Sequence, residues 1–380
     1  MTSGYHRQVS AAVCFVVGAR PNFMKAAPVH RALRALDPDL ELVLVHTGQH
    51  YDPEMSQVFL DQLGLPRPDV FLGVGSGTHG EQTARALTGI ERVLLERRPA
   101  LVVVPGDVNS TLAGALAAVK LDVPVAHLEA GLRSFDRRMP EEHNRLLTDH
   151  LSSLLLAHSP EALDNLEREG IDLALAHLVG NTMIDSLLEH VEAARGAAPW
   201  RAFGLEAGGY GLVTLHRPAL VDDPAALRAT VEGLAALAGA APLVFPVHPR
   251  TRERLAAAGH DELLAASGVS VAGPLGYLEF LGLEAEAQFV LTDSGGVQEE
   301  TAALGVPCFT LRDSTERPIT VRLGTNTLLG ARPERITEIP ALLAERREAQ
   351  EIPLWDGRAG ERAAAVLHAF VARGAVEVAV

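Results

Sequence analysis

Cysteine is nearly absent: the 380 residues contain two, Cys14 and Cys308. Each sits in an apolar, strand-like run far from the other. Neither a disulfide framework nor a cysteine metal site is therefore indicated, and a reducing cytoplasm fits. Aromatic residues make up only 4%. Aliphatic residues and alanine stand in their place, as buried parallel strands between helices require. Basic residues are outnumbered, 33 Lys and Arg against 48 Asp and Glu, for a net charge of −15. This excludes the broad basic surface that nucleic acid demands, although a few arginines in a cleft could still hold a small anion. No apolar run reaches the roughly 18 residues of a membrane span, and the polar start Met1–Ser10 is not a signal peptide. The expectation is a cytoplasmic enzyme without membrane or nucleic-acid partners, long enough for two domains.

The remaining residues alternate between strand-like and helix-like segments. Apolar runs at Ala11–Val17, Glu41–His46, Ala100–Val104, Val123–Leu128 and Ser153–Ala157 read as strands. Between them, Phe23–Leu36, Pro53–Leu63, Gly80–Arg97, Thr111–Lys120 and Glu142–Leu151 carry helical spacing. After a linker or peripheral helix over Val191–Gly209, a second series begins at Tyr210. Its strands are Gly211–Leu215, Leu243–Val247, Val269–Val271, Phe289–Thr292 and Cys308–Leu311. Repeated strand–turn–helix units imply parallel sheets with right-handed crossovers. Two series imply two doubly wound, Rossmann-like α/β domains facing a cleft. Ligands in such sheets bind at the carboxyl ends of the strands.

Charged and glycine-rich motifs cluster at those ends. Gly18-Ala-Arg-Pro-Asn-Phe-Met-Lys25 leaves the first strand and opens a helix, so its free N–H groups with Arg20 and Lys25 suit a phosphate. Asp107 follows a strand and could reach a ligand, or with Ser110 merely cap the next helix. His127-Leu-Glu-Ala-Gly-Leu-Arg133 and Met139-Pro-Glu-Glu-His-Asn-Arg145 set Glu129, Glu141 and Glu142 among His127, Arg133, His143 and Arg145. Carboxylates beside cations suggest proton transfer on an anionic substrate. Glu141 and Glu142 could equally serve the dipole of the helix they begin. In the second series, His216-Arg217 and His248-Pro-Arg250 each follow a strand. Thr292-Asp-Ser-Gly-Gly-Val-Gln-Glu-Glu300 passes through two glycines into a helix, which lets backbone approach an oxyanion. Arg312 and Arg317 add cations after the following strand.

Other patterns point nowhere. Gly75-Ser-Gly-Thr-His-Gly80 fits G-x-G-x-x-G, but its preceding strand is short and the expected acidic partner falls in or after a helix. Nicotinamide is not expected. His46 and His50 have zinc-like spacing without a third ligand, so no metal is expected. A nucleophile elbow is missing.

Together these segments resemble the UDP-N-acetylglucosamine 2-epimerases of the non-hydrolysing bacterial type. The matching stretches are G-A-R-P-N-F-M-K-A-A-P (18–28), H-T-G-Q-H-Y-D (46–52), G-D-V-N-S-T (106–111), H-L-E-A-G-L-R (127–133), P-E-E-H-N-R (140–145), G-N-T-M-I-D (180–185), T-D-S-G-G-V-Q-E-E (292–300) and R-D-S-T-E-R-P (312–318). The resemblance implies a glycosyltransferase-B-like fold. Residues 1–190, joined by a terminal helix 358–380, would carry the acid–base carboxylates, and residues 210–357 would bind UDP. It also implies reversible epimerisation at carbon 2 of UDP-N-acetylglucosamine to UDP-N-acetylmannosamine through a glycal, without a cofactor, by a homodimer serving polysaccharide synthesis. By resemblance, Asp107, Glu129 and Glu141 are the acid–base carboxylates, and His216 assists diphosphate departure. Arg20, Lys25, Ser294, Gly295 and Gly296 would hold the diphosphate, Glu300 the ribose, Phe280 would border the uracil, and His248 and Arg317 would also bind UDP. The sequence departs from relatives at Asn22, often Glu, at His216-Arg-Pro218 for H-R-R-E, and at His50-Tyr-Asp52. The last two regions help relatives bind a second, activating UDP-sugar, which is not carried over here. A hydrolysing relative that releases UDP and N-acetylmannosamine, a 2-epimerase of a related nucleotide sugar, a glycosyltransferase of the same architecture and a nucleotide-sugar sensor are the competing readings.

Overall fold

Both sheets of this protein begin in the middle, with the first strand of each at the point where the winding reverses. The structure is a computed structural model describing residues 12–48, 63–345 and 349–378. The chain divides into two compact units, Met1–Ser186 with Pro353–Val380, and Leu187–Ile352.

In the first unit, β1 (Val13–Val17), β2 (Leu42–His46), β3 (Val70–Phe71), β4 (Leu101–Pro105), β5 (Val125–Ala130), β6 (Leu154–Ala157) and β7 (Ala176–Leu178) form one sheet. Its order is β3-β2-β1-β4-β5-β6-β7, and every pairing is parallel. All five residues of β1, β2 and β4 are buried, as near-continuous Val and Leu runs covered on both faces should be. Val16, Val45, Val104, Ile90 and Val125 lie in the core that helices 79–97 and 109–120 seal. The second unit repeats the plan with β8 (Gly211–Thr214), β9 (Leu243–Pro246), β10 (Val269–Ala272), β11 (Phe289–Thr292), β12 (Cys308–Thr310) and β13 (Asn326–Leu328) in the order β10-β9-β8-β11-β12-β13. Val213, Phe245, Leu291 and Phe309 fill its core.

Several boundaries differ from expectation. The first long helix begins at Arg20 rather than Phe23, because Pro21 suits an opening turn whose N–H groups have no helical partner. The turn thus shrinks to Gly18 and Ala19. Strands β7 and β13 and helix Pro160–Arg168 were not anticipated. The two strands have three residues each and are mostly half-buried, too short for any periodicity to show. Residues 191–209 hold the end of helix Thr182–Gly196 and a 3-10 turn at Pro199–Phe203. The helix expected over Pro53–Leu63, apart from Leu63, and the loop residue His50 lie outside the described residues.

The carboxyl-terminal helix Ala359–Val378 is fastened to the first unit by the G-N-T-M-I-D motif. Asp185 accepts from the N–H groups of Ala359 at 3.1 Å and Gly360 at 2.6 Å. Gly180 has φ +91°, and a Cβ there would lie 2.2 Å from the Leu354 carbonyl oxygen. Gly360 packs against Pro28, which sits inside helix Arg20–Leu36. Proline donates no hydrogen bond to the carbonyl four residues back. That carbonyl, on Met24, accepts from the Ser186 hydroxyl at 2.8 Å instead.

Candidate active site

Where a doubly wound sheet reverses, the chain segments leaving its two central strands turn to opposite faces and open a crevice at their carboxyl ends. In the first unit these strands are β1 and β4. Gly18 and Ala19 donate from their N–H groups to the Asn22 side chain, each at 3.0 Å, and Asn22 in turn donates to the Pro105 carbonyl at 2.9 Å. Asn22 thus clamps the two strand ends together. Glycine is required at 18, where a Cβ would stand 2.4 Å from the Ser110 hydroxyl.

Gly106, with φ +69°, then turns the chain so that Asp107 follows. A Cβ on Gly106 would be 3.0 Å from Lys25 Nζ and 3.5 Å from Glu129 Oε2, so Lys25 and Glu129 converge on this turn. They form a buried ion pair. Glu129 itself has φ +76°, at the point where β5 slips register against β6. A non-glycine residue held there stores backbone strain, which is commonest at functional sites. Asp107 accepts from Arg145 Nη2 at 2.6 Å and Nε at 2.9 Å. Arg145 also reaches Glu142 at 2.8 Å.

Glu142 is occupied with the backbone. It accepts from Ser134 N and Oγ at 2.9 Å each and Phe135 N at 2.8 Å, holding the preceding loop. Its neighbour Glu141 is half-buried on the first turn of helix Pro140–Leu151. The cations of this region do not face outward as a substrate cradle, as the sequence had suggested. Arg145 faces Asp107. Arg133 is buried between Asp149 at 2.7 Å and Glu169 at 2.6 Å. His127 is wholly buried, and His143 points away to the Arg137 carbonyl at 2.9 Å.

In the second unit the central strands are β8 and β11. Asp293, fully buried after β11, accepts from His216 N at 2.8 Å and Arg217 N at 2.7 Å, while its other oxygen lies 3.1 Å from His216 Nδ1. One carboxylate therefore fixes both the backbone and the ring of His216, whose side chain remains 42% exposed. His248 caps helix Pro249–Ala257, its ring centroid 6.1 Å from that of His216. Ser294 stands at the N-cap of helix Gly295–Leu304 without a side-chain cap bond, so the first-turn N–H groups beside Gly295 and Gly296 suit an anion.

Gln298 braces this turn, donating to Ser294 O at 3.0 Å and accepting from Thr315 at 2.6 Å and Asn326 at 2.9 Å. Arg317 lies 2.9 Å from Glu299, and its guanidinium fills the space a Cβ on Gly295 would need. Glu300 is buried beside the Glu284 carboxyl, and burial together with Glu300 pushes Glu284 well above the usual carboxylate range. Phe280 packs half-buried against the Tyr210 and Val290 core. Asn22, Asp149 and Glu284 were not singled out by sequence as working parts. Asp293 lies within a recognised motif, but its bond to a residue 77 positions earlier left no local trace.

Gly75–Gly80 proves to be a helix entry. Thr78 caps helix His79–Arg97 in a reciprocal box with Glu81. His46 is buried between Phe23 and Phe71, and burial lowers its imidazole to about 4.

Sheet order and the two strand-end sites define an α/β enzyme of the glycosyltransferase-B-like class, and similarity to known proteins narrows this. The family model described as UDP-N-acetylglucosamine 2-epimerase matches residues 32–368. A UDP-N-acetylglucosamine 2-epimerase of Methanocaldococcus jannaschii is 45% identical over 358 residues, 93% of this chain and 97% of that one. A UDP-2,3-diacetamido-2,3-dideoxy-D-glucuronate 2-epimerase of Pseudomonas aeruginosa is 47% identical over 327 residues, 85% and 89% of the two chains. The crystal structure of the M. jannaschii enzyme in complex with UDP-GlcNAc and UDP superposes with a TM-score of 0.86 at 44% identity, covering 94% of this chain and 99% of that one. The chain belongs to the UDP-N-acetylglucosamine 2-epimerase family, a family of isomerases. Among the described residues, no helix is long and apolar enough to cross a membrane.

Proposed function

We propose that this protein interconverts UDP-N-acetylglucosamine and UDP-N-acetylmannosamine without net hydrolysis. The carbon-2 proton has no adjacent carbonyl to acidify it. Breaking the bond between carbon 1 and the diphosphate oxygen builds oxocarbenium character at carbon 1, and that makes the neighbouring proton removable. A carboxylate takes this proton, the electron pair of the C2–H bond becomes the C1–C2 double bond, and UDP leaves with the electrons of the C1–O bond. The reverse steps, with protonation on the other face, give the epimer. The observation that carries the reading is the pair Asp107 and Glu129, held on strained or glycine-built turns at the first reversal point with Arg145 and Lys25 against them. Asp107, Glu129 and Glu141 act on the sugar. His216, oriented by Asp293, assists departure of the diphosphate. Arg20, Lys25, His248, Ser294, Gly295, Gly296 and Arg317 hold UDP, with Glu300 at the ribose and Phe280 by the uracil.

The test is incubation with UDP-N-acetylglucosamine in deuterated water. Deuterium should enter carbon 2 of both epimers while free UDP stays at trace level. Steady release of UDP with N-acetylmannosamine would identify a hydrolase, and no exchange would end the proposal. A second reading is favoured by the 47% identity to the Pseudomonas aeruginosa protein: the same chemistry on a diacetamido uronate sugar. Competing both UDP-sugars in one reaction separates the two. We further infer a cytoplasmic homodimer supplying polysaccharide synthesis, which light scattering and localisation of the tagged full chain would check.

A further inference from the structure

One buried carboxylate is linked to both segments that carry Asp107 and Glu129. Asp149, 1% exposed on helix Pro140–Leu151, lies 2.6 Å from His127 Nδ1 through Oδ1. Through Oδ2 it accepts from the Gly131 N–H at 3.1 Å and faces Arg133 Nη2 at 2.7 Å. The far nitrogen of His127, Nε2, lies 2.7 Å from the Gly106 carbonyl oxygen. Both ring nitrogens thus face oxygen atoms, one on a carboxylate and one on a backbone carbonyl. Gly106 immediately precedes Asp107. Gly131, with φ +82°, follows Glu129 by two residues and is pressed against helix Pro160–Arg168, where a Cβ would meet the Ala162 carbonyl at 2.3 Å.

We infer that Asp149 is a positioning residue for the epimerisation: through His127 it fixes the turn bearing Asp107, and through Gly131 the irregular end of β5 bearing Glu129. The inference rests on the reading of those two carboxylates as the acid–base groups. The environment of Asp149 suits the task. Burial alone would raise its carboxyl, but the charges and hydrogen bonds of His127 and Arg133 outweigh this and leave it below the usual carboxylate range. Arg133 also faces Glu169 at 2.6 Å, so its single charge is shared between two carboxylates. A fixed, ionised anchor at the base of the two segments holds geometry that neither segment's own sequence imposes. The working carboxylates then need no rearrangement when substrate arrives.

The experiment compares Asp149→Ala, Asp149→Asn, His127→Phe and the Asp149→Ala/His127→Phe double variant with the parent, alongside Asp107→Asn. Turnover of UDP-N-acetylglucosamine, UDP affinity and melting temperature are measured for each. Asp149→Ala and His127→Phe should lower kcat about 10²-fold, the loss expected for an ångström of misplacement, with UDP affinity unchanged within threefold. The double variant should be no worse than Asp149→Ala alone, which already cuts the link through His127 as well as the one to Gly131. Asparagine can still accept from Gly131 and donate to His127 Nδ1 while Nε2 keeps its bond to Gly106, so Asp149→Asn should recover to within tenfold of the parent.

If Asp149→Ala does not fold, His127→Phe and Asp149→Asn carry the test. Parent-like kcat in His127→Phe, or losses of kcat and UDP affinity in proportion, overturns the inference. Should Asp107→Asn also turn over normally, it is the acid–base reading that has failed. If Asp107→Asn is inactive while the Asp149 and His127 variants are active, only the positioning role falls.

Discussion

At the residue scale, the site is built from carboxylates in contrasting settings. Asp293 and Asp149 anchor backbone, Asp107 and Glu129 face cations, and Glu284 is buried against another carboxyl. The last has a consequence for stability. A carboxyl whose folded pKa is raised keeps its proton in the fold, whereas in the unfolded chain it ionises above the ordinary value of 4.5. The native state therefore holds the extra proton from that pH upward, and stability falls as pH rises until the raised folded value is passed. The slope is at most about 1.4 kcal/mol per pH unit for one proton. Glu284→Gln should match the parent near pH 4 and melt progressively higher than it toward pH 8. A pH-independent difference in melting temperature would show that Glu284 is ionised in the fold.

At the scale of elements, turn and helix ends decide the geometry. Helix Arg20–Leu36 keeps Pro28 because Ser186 takes over the freed Met24 carbonyl. Helix Ala359–Val378 is held at its start by Asp185 and by the tight approach of Gly180 to Leu354. Gly180→Ala combines a left-handed φ with a backbone clash and should cost about 1–3 kcal/mol or more. Hydrogen exchange should then accelerate first in residues 353–373, before the strands of the first sheet. Uniform acceleration throughout the unit would count against this joint as the local fastening.

At the scale of the whole molecule, two copies of one winding plan carry different chemistry. The first sheet's reversal point offers carboxylates, and the second offers a histidine, an arginine and an open helix start. UDP at 100 times its dissociation constant should add about 2.7 kcal/mol of stability. Its hydrogen-exchange protection should centre on residues 214–217 and 293–300, and UDP-N-acetylglucosamine should add protection at 105–108 and 128–131. Equal protection of the latter two segments by UDP alone would remove the sugar from Asp107 and Glu129.

The sequence by itself determined the strand–turn–helix rhythm, because buried parallel strands leave unbroken runs such as Leu-Val-Val-Val and their turns leave glycines and charges at fixed offsets. It also placed Asp107, Glu129, His216 and Ser294 at strand ends, since chain order alone sets that position. What each of these side chains meets was decided only by tertiary structure. Lys25 reaches Glu129 across 104 positions, Asp107 reaches Arg145 across 38, and Asp149 reaches His127 across 22. Such pairings depend on which strands become neighbours and in what register, a long-range outcome that no local spacing encodes. That is why the contact of Lys25 with Glu129, which its place in the first strand–helix turn does not reveal, appears only in three dimensions.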